Sequence, residues 1–220
     1  MSSTKTDVLR KIRSIGLLPI VRAESEAQAL ALVDALAAGG ATAIEITMTI
    51  PKAIPLLSKL TKDRPELLLG AGTVLDPETA RLCMLEGAQF IVSPALNFRT
   101  IEVCQRYSVA VMPGALTPTE IVTAWQAGAD VIKIFPANAM GGASYLKSLK
   151  SPLPHIDMIP TGGVSLENAR HFMESGAFAL GVGGELVNRR AITENRPEAI
   201  TERTEDFFRA IRSADLQSSA

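Results

Sequence analysis

Short apolar runs alternate with longer amphipathic stretches along the whole sequence, and this alternation limits the possible folds more than any other feature. Eight apolar runs are present: Leu17–Arg22, Ala43–Thr49, Leu67–Thr73, Gln89–Pro94, Val109–Gly114, Val131–Pro136, Met158–Gly162 and Ala179–Gly183. The stretches between them have helical periodicity, as at Ser25–Ala38, Glu78–Glu86 and Pro118–Ala127, and a further helix is predicted at about Thr6–Ile15. Such an alternation is typical of parallel strands connected by helices.

A glycine–alanine pair precedes every second run, at Gly40-Ala41, Gly87-Ala88, Gly128-Ala129 and Gly176-Ala177. Glycine at this place commonly ends the preceding helix. Eight strand–helix units with this repeat favour an α/β fold, a single-domain (β/α)8 TIM barrel with an extra N-terminal helix. A doubly wound open sheet is the alternative. We expect the barrel to span residues 1–213 and residues 214–220 to form a disordered tail.

Capping residues mark several of the predicted helix starts. Asp76 and Thr117 each stand directly before a proline, Thr117 and Glu120 fit a capping box, and Ser165 is suited to begin the helix after the seventh run. A capping side chain followed by proline predicts that a helix begins at that proline.

The composition excludes several classes of protein. The chain has 220 residues, 47% of them apolar and 5% aromatic, which suits one domain with an aliphatic core. A formal net charge of −1 gives no basic field for nucleic acid or an anionic membrane. No apolar run approaches the roughly 18 residues of a membrane span, and no signal peptide is recognised. The sequence therefore predicts a soluble cytoplasmic protein.

The cysteines and histidines do not predict a metal site. Cys83 and Cys104 lie within helical patterns without ligand spacing, and we interpret both as reduced. His155 and His171 have no partner at a spacing suited to metal ligands. We therefore expect neither a metal nor another cofactor.

The glycine–alanine pairs also align the even-numbered strands. Four residues past each alanine stand Glu45, Val92, Lys133 and Gly181, and two residues further stand Thr47, Pro94, Phe135 and Gly183. Each interior layer of a TIM barrel takes its side chains from alternate strands. We therefore expect Glu45 and Lys133 to share one layer from opposite walls of the barrel.

A glutamate and a lysine inside apolar strands predict either chemistry or a structural ion pair. Each is costly to bury singly, so the two together form an acid–amine pair. Burial disfavours the charged form of an amine, and a neutral amine can attack a ketone to form an imine. Lys133 would then be the nucleophile and Glu45 the proton shuttle, with Phe135 as an apolar wall and Gly181 leaving space for substrate. The alternatives are a structural ion pair or one residue facing outward.

Glycine-rich ends of the last two strands predict a phosphate site. The seventh run continues as Pro160-Thr161-Gly162-Gly163-Val164-Ser165 and the eighth as Gly181-Val182-Gly183-Gly184-Glu185. In TIM barrels the loops after strands 7 and 8 often bind phosphate through backbone N–H groups and a helix N-terminus. Thr73, after the third strand, can donate a hydrogen bond into the barrel mouth or cap the strand. Arg22, after the first, can bind a carboxylate or remain a solvated charge.

Several segments of the chain together resemble the KDPG/KHG aldolases, a family that includes 2-keto-3-deoxy-6-phosphogluconate aldolase and 4-hydroxy-2-oxoglutarate aldolase. The segments are Glu45-Ile46-Thr47, Gly70-Ala71-Gly72-Thr73-Val74, Ile91-Val92-Ser93-Pro94, Met112-Pro113-Gly114, Lys133-Ile134-Phe135-Pro136 and Pro160-Thr161-Gly162-Gly163-Val164. They run in the family's order, and the resemblance extends from about Leu17 to Val187.

The resemblance implies a class I, metal-free lyase that splits 2-keto-3-deoxy-6-phosphogluconate into pyruvate and glyceraldehyde 3-phosphate, as in the Entner–Doudoroff pathway. It implies that Lys133 is the Schiff-base lysine and Glu45 the general acid/base. It also implies a homotrimer. The remaining implied contacts are Thr73 to the pyruvyl carboxylate, Pro94 and Phe135 as pocket walls, and Thr161, Gly162, Gly163, Gly183 and Gly184 around the phosphate; we add Thr47 as a substrate contact.

The chain departs from the family's pattern at two positions. Well-known members carry an arginine at the end of strand 2, on the substrate carboxylate, where this chain has Thr49. Some members have serine at the position of Gly184, whose backbone N–H remains available. We propose Arg22, at the adjacent strand end, as the replacement for the missing arginine.

Other activities remain open from the sequence. The main substrate could be the galactonate epimer or 4-hydroxy-2-oxoglutarate. A second class is a phosphate-binding barrel isomerase or synthase in which Lys133 serves only as a cation. A third is a barrel that binds a metabolite without turnover.

Overall fold

The computed structural model describes residues 4–187, 191 and 194–215 as strands alternating with helices. The strands are β1 Leu17–Val21, β2 Ala43–Thr47, β3 Leu68–Gly72, β4 Phe90–Val92, β5 Ala110–Met112, β6 Gly114–Ala115, β7 Ile132–Ile134, β8 Met158–Pro160 and β9 Leu180–Val182. The helices are α1 Lys5–Ile15, α2 Glu26–Ala38, α3 Ala53–Asp63, α4 Pro77–Leu85, α5 Phe98–Arg106, α6 Pro118–Gln126, α7 Ala143–Lys150, α8 Leu166–Glu174 and α9 Pro197–Asp215, with a 3₁₀ turn at Ala137–Met140.

The strands are parallel and close into a barrel, so the predicted TIM barrel is confirmed and the open sheet is wrong. One run of paired strands has the order β5-β4-β3-β2-β1-β9 and another the order β6-β7-β8. β5 and β6 are one predicted strand divided at Pro113, which has no N–H to donate. The Pro113 carbonyl still accepts from the Lys133 N–H at 2.9 Å. A bridge between Thr161 and Gly181 joins β8 to β9 and closes the circle.

Two separate apolar cores pack against the strands, one outside the barrel and one inside it. The larger lies between strands and helices and takes the outward-facing residues, such as Ile44, Ile46 and Ile132. The smaller fills the lower interior of the barrel and includes Leu18, Ala43, Leu68, Phe90 and Val131. Val8 and Ile12 of α1 belong to this interior core, so the extra helix covers the end of the barrel where the strands begin. Burial of these aliphatic groups is the main stabilising contribution to such a fold.

The predicted helix starts are confirmed. The Asp76 side chain accepts from the Thr79 N–H, with Pro77 as the first residue of α4. Thr117 and Glu120 form a capping box at the start of α6. Ser165 stands at the N-cap of α8, and its N–H donates to Asn168 Oδ1 at 2.8 Å.

The repeated glycine–alanine pair has the geometry of a helix end. The four glycines have φ between 89° and 98°, the left-handed region that favours glycine. The following alanine N–H donates back five residues, as from Ala41 to the Leu36 carbonyl at 3.0 Å. This Schellman-type arrangement directs the chain from each helix into the next strand in the same way. The constant geometry explains why counting from these pairs aligns the strands.

The last helix, α9, extends to Asp215. Residues 216–220 of the predicted tail lie outside the described residues. Among the described helices, none combines the length and the apolar character that crossing a lipid bilayer requires.

Candidate active site

Lys133 and Glu45 face each other inside the barrel. Lys133 is central in β7 and Glu45 central in β2, and their Nζ and Oε1 atoms are 3.9 Å apart. The two residues are 2% and 1% exposed. The prediction that both point inward and meet is confirmed, and the alternative that one faces outward is wrong. Counting residues from the glycine–alanine pairs placed both residues correctly, because the helix ends that precede β2 and β7 share one geometry.

This ion pair does not have the geometry of a stabilising buried salt bridge. A distance of 3.9 Å exceeds a hydrogen bond, and Glu45 Oε1 has no hydrogen-bond partner. A buried ionic group stabilises a fold only when its hydrogen bonds are satisfied. The carboxylate oxygen and the amine are therefore close to each other without a hydrogen bond between them, in a site away from bulk water. Such an arrangement favours chemistry over a structural role.

Two glycines of β3 make room for the side chains in this layer. A Cβ at Gly72 would lie 1.8 Å from Glu45 Oε1, so the carboxylate occupies the space that a side chain there would take. A Cβ at Gly70 would lie 2.2 Å from the Phe90 ring, which fills the barrel below. Sequence reasoning missed the role of Gly72. The signal available was the alternation of glycines on a strand next to the one that carries a buried glutamate.

Phe135 stands one layer above Lys133, as predicted. Lys133 Nζ is 5.4 Å from the centroid of the Phe135 ring. The ring also approaches Gly162, where a Cβ would lie 3.5 Å from Phe135 Cδ2. Half-buried Phe135 thus lies near both the amine and the loop after β8.

The space beside Gly181 belongs to Thr161. A Cβ at Gly181 would lie 2.2 Å from Thr161 Oγ1, so this glycine accommodates the threonine hydroxyl. The expectation that Gly181 leaves room for substrate is therefore wrong. Thr161 itself is 5% exposed, and its backbone is held by the Ile134 carbonyl at 3.0 Å and the Ala137 N–H at 2.9 Å. Thr161 thus connects the loop after β8 to β7 and to the turn that follows β7.

The loop after β8 has a backbone suited to an anion. Gly162 and Gly163 have φ of 89° and 74°, where any other residue would be strained. A Cβ at Gly163 would lie 2.3 Å from Cβ of Asn138, whose N–H donates to the Gly162 carbonyl at 3.2 Å. The loop continues into the N-terminus of α8, where backbone N–H groups and the helix dipole favour negative charge. The packing of Asn138 on this loop was not predicted.

The second glycine loop follows β9 and is adjacent to the first, because Thr161 pairs with Gly181. The Gly183 carbonyl accepts from the N–H groups of Leu186 and Val187, both at 3.0 Å. Gly184 is exposed, and no atom lies within 4 Å of a Cβ built there. Both predicted glycine loops therefore lie at the same edge of the barrel mouth.

Arg22 leaves β1 and extends toward the loop after β9. Its Nη1 lies 3.6 Å from a Cβ built at Gly183. Both residues line a cleft of about 1080 Å³, which Arg203 also lines. Arg203 is paired with Glu185 at 3.2 Å, whereas Arg22 is exposed and forms no ion pair within the described part of the chain. Arg22 is thus an available cation at the mouth.

The remaining predicted site residues surround the opening. Thr73 follows β3 with φ of 57°, a left-handed conformation that is unusual for threonine, and is half-buried. Pro94 follows β4, and its carbonyl would lie 2.2 Å from a Cβ at Gly114. Thr47 is fully buried at the end of β2, and its hydroxyl donates to the Val21 carbonyl at 2.9 Å. All the predicted positions therefore lie within or above the barrel mouth.

Comparison with known proteins connects this geometry to a family. A sequence model described as KDPG and KHG aldolase matches residues 8–203. The chain belongs to the KDPG and KHG aldolase family. Membership in an aldolase family carries lyase activity.

Individual relatives and a solved structure agree with this membership. A 2-dehydro-3-deoxy-phosphogluconate aldolase of Pseudomonas aeruginosa is 36% identical over 191 residues, 87% of this chain and 86% of that one. A 2-dehydro-3-deoxy-6-phosphogalactonate aldolase of Escherichia coli is 37% identical over 176 residues, 78% of this chain and 84% of that one. The crystal structure of a Legionella pneumophila KDPG aldolase, with pyruvate captured as a covalent carbinolamine, has a TM-score of 0.84, 28% identity and coverage of 93% and 98%.

The cysteines of this aldolase are buried thiols on α4 and α5. Burial raises the pKa of Cys83 to about 11 and that of Cys104 to about 12. Both thiols therefore stay protonated at neutral pH. His155 is exposed and packs edge-on against Trp125, with ring centroids 5.0 Å apart. Among the described residues, no three His, Cys, Asp or Glu side chains are arranged to hold a metal ion.

Proposed function

We propose that this aldolase cleaves 2-keto-3-deoxy-6-phosphogluconate into pyruvate and glyceraldehyde 3-phosphate through an imine on Lys133. The observation that carries the proposal is the buried pair of Lys133 and Glu45, 3.9 Å apart, with Oε1 left without a hydrogen-bond partner. The proposed setting is the cytoplasm, in a route of the Entner–Doudoroff type. The reaction is proposed to need no metal, because the imine itself accepts the electron pair of the broken bond.

The proposed steps use one amine and one carboxyl group. The neutral Lys133 amine adds to the C2 ketone, and Glu45 gives a proton to the departing oxygen, so that water leaves and an iminium forms. Glu45, now a carboxylate, takes the proton of the C4 hydroxyl. The C3–C4 bond breaks, its electron pair enters the iminium to give an enamine, and the aldehyde departs. Protonation at C3 and addition of water then release pyruvate and restore the amine.

The residues around the pair are proposed to hold the substrate. Phe135 and Pro94 supply apolar walls, Thr73 donates to the carboxylate, and Arg22 supplies the positive charge that the position of Thr49 lacks. Thr161 remains a predicted substrate contact, whereas Thr47, predicted as another, is fully buried with its hydroxyl bonded to the Val21 carbonyl. The exposed position of Arg22 and its lack of an ion pair among the described residues support its anion-binding role.

The two glycine loops are proposed to bind the phosphate through Gly162, Gly163, Gly183 and Gly184. The left-handed φ of Gly162 and Gly163 forms a concave backbone of the kind that binds anions. The N-terminus of α8 adds its dipole.

A second candidate is the galactonate epimer of the same substrate. It is favoured by the Escherichia coli 6-phosphogalactonate aldolase, which is as similar to this chain as the phosphogluconate enzyme. The family also includes 4-hydroxy-2-oxoglutarate aldolases. The values of kcat/KM for the three substrates decide among them, and equal values for the two epimers would contradict strict specificity.

The imine is tested by borohydride reduction in the presence of pyruvate. We expect a mass increase on Lys133 in the wild type and none in Lys133→Ala. Activity should also survive a chelator. Failure to trap an adduct would favour the isomerase or synthase, in which Lys133 is only a cation, and bound substrate without turnover would favour a binding protein.

We also propose that the protein is a homotrimer, as its resemblance to the family implies. Large apolar side chains are exposed on α4, on the loop before it and at the start of α5: Leu75, Leu82, Leu85 and Phe98 are 49–61% exposed. Such a patch is a candidate subunit contact. Light scattering after gel filtration should give a trimer for the wild type and smaller species for Leu85→Lys.

A further inference from the structure

The Thr47 hydroxyl connects the ends of β1 and β2. Backbone pairing between these strands ends at Val21 and Ile46. One residue further, Thr47 Oγ1 donates to the Val21 carbonyl at 2.9 Å. Thr47 is 0% exposed, so this hydrogen bond is shielded from water. The side chain thus extends the pairing to the peptide that leads into Arg22.

A second hydroxyl completes the arrangement. Thr49 Oγ1 lies 2.9 Å from Thr47 Oγ1. A threonine hydroxyl has a single hydrogen, and that of Thr47 is directed at Val21. Thr49 is therefore the donor to Thr47. The two hydroxyls form a short chain from the exposed mouth to the backbone that precedes Arg22.

This chain of hydroxyls ends at the peptide that leads into Arg22. Val21 is fully buried, while Arg22 is exposed and lies against Gly183. Holding the Val21 carbonyl fixes the plane of the Val21–Arg22 peptide and hence the starting direction of the arginine.

We infer that Thr47 and Thr49 are positioning residues that hold Arg22 in place to bind the anionic substrate. The inference rests on the proposed function, because it requires Arg22 to bind that anion. Thr47 acts through the Val21 peptide and not by touching the substrate. It accordingly affects binding of the keto acid and leaves the imine chemistry of Lys133 intact.

A double-mutant cycle tests this inference. The variants are Thr47→Val, Arg22→Ala and both together, and the measurement is the pyruvate concentration that gives half-maximal borohydride trapping on Lys133. Thr47→Val should raise that concentration about tenfold, the effect of losing one buried hydrogen bond. Adding it to Arg22→Ala should change nothing further, because residues that act through one another are not additive. Trapping at saturating pyruvate should stay complete.

Matched variants separate positioning from general damage. Thr47→Ser keeps the hydroxyl and should restore wild-type trapping. Thr204→Val removes another fully buried hydroxyl, which donates to the Ile200 carbonyl at 2.7 Å in α9, and should leave trapping unchanged. Circular dichroism confirms that each variant is folded at the assay temperature.

The outcomes are distinct. Normal trapping in Thr47→Val, or full additivity with Arg22→Ala, overturns the inference while the proposed function stands. No adduct on Lys133 in the wild type overturns the proposed function itself. If Thr47→Ser fails as badly as Thr47→Val, the methyl packing of Thr47 matters more than its hydroxyl, and the inference is again wrong.

Discussion

Lys133 Nζ and Glu45 Oε1 are 3.9 Å apart, close enough to exchange a proton through one intervening oxygen and too far apart for a direct hydrogen bond. Removal of the lysine amine and removal of the glutamate carboxylate should therefore have different effects. Lys133→Ala should abolish both cleavage and the pyruvate adduct. Glu45→Gln keeps the shape and should lower kcat about a hundredfold or more while still allowing the adduct to accumulate slowly. Steady-state kinetics and mass spectrometry after borohydride reduction measure the two effects.

Gly72→Ala should damage catalysis through Glu45. The new methyl group would lie 1.8 Å from Oε1, so the carboxylate must move out of its layer. We expect a fall in kcat of about a hundredfold, similar to the loss of a general acid/base.

Gly70→Ala is the control for Gly72→Ala, since its methyl group meets the Phe90 ring and not Glu45. It should lower the free energy of unfolding by about 1–3 kcal/mol through overpacking. Its kcat should be much less affected below its melting temperature. Equal losses of kcat in the two variants would contradict a specific role for Gly72.

Arg22→Ala should raise KM for the keto acid about tenfold or more, because a charge-assisted hydrogen bond to its carboxylate is lost. Adding Thr49→Arg to this variant should recover much of the loss, since it places a guanidinium at the neighbouring strand end. Arg99→Ala, which removes an exposed arginine paired with Glu78 at 3.3 Å, is the control and should not change KM. A double variant no better than Arg22→Ala would argue against carboxylate binding at this edge.

The two glycine loops should respond unequally to alanine. Gly163 has φ of 74° and no space beside Asn138, so Gly163→Ala should distort the loop. Gly184 has open space, so Gly184→Ala should be mild. KM for phosphorylated substrate should therefore rise much more in the first variant. Half-saturation by pyruvate, which has no phosphate, should be the same in both.

The buried thiols should make stability fall at alkaline pH. Their folded-state pKa values, about 11 and about 12, lie above the ordinary value of 9.0. Folding therefore keeps Cys83 and Cys104 protonated, and this contribution to stability is complete below pH 9 and lost as the pH rises toward the folded values. Urea unfolding at pH 8 and pH 10.5 measures the change, which should be smaller in Cys83→Ala/Cys104→Ala. Thiol reagents at pH 8 should react only after denaturation.

The sequence was sufficient to predict the barrel and the central pair, because both depend on regular features. Glycine at a helix end has one preferred geometry, so equal counting from Gly40 and Gly128 places Glu45 and Lys133 in one layer. The predicted helix starts at Asp76 and Thr117 were right for the same reason, since a capping side chain acts on its own turn.

What the sequence could not predict depends on contacts between distant residues. The fit of Glu45 over Gly72, of Thr161 beside Gly181 and of Asn138 against Gly163 requires the register of neighbouring strands and the path of loops. The division of the fifth strand at Pro113 is a partial exception, because a proline within a strand predicts an interruption of the backbone pairing. The hydrogen bond from Thr47 to Val21 joins residues 26 positions apart, and local pattern contains no signal for it.

Helix α1 has a consequence for the order of events in the barrel. Val8 and Ile12 fill the end where the strands begin, so the interior opens at one end only. Lys133, 2% exposed, sits below that opening. In the proposed imine mechanism the fragment attached to the lysine is then the deeper one, and the aldehyde fragment lies between it and solvent. We therefore expect ordered product release, in which the aldehyde leaves first and water reaches the remaining covalent intermediate by the path that the aldehyde has vacated.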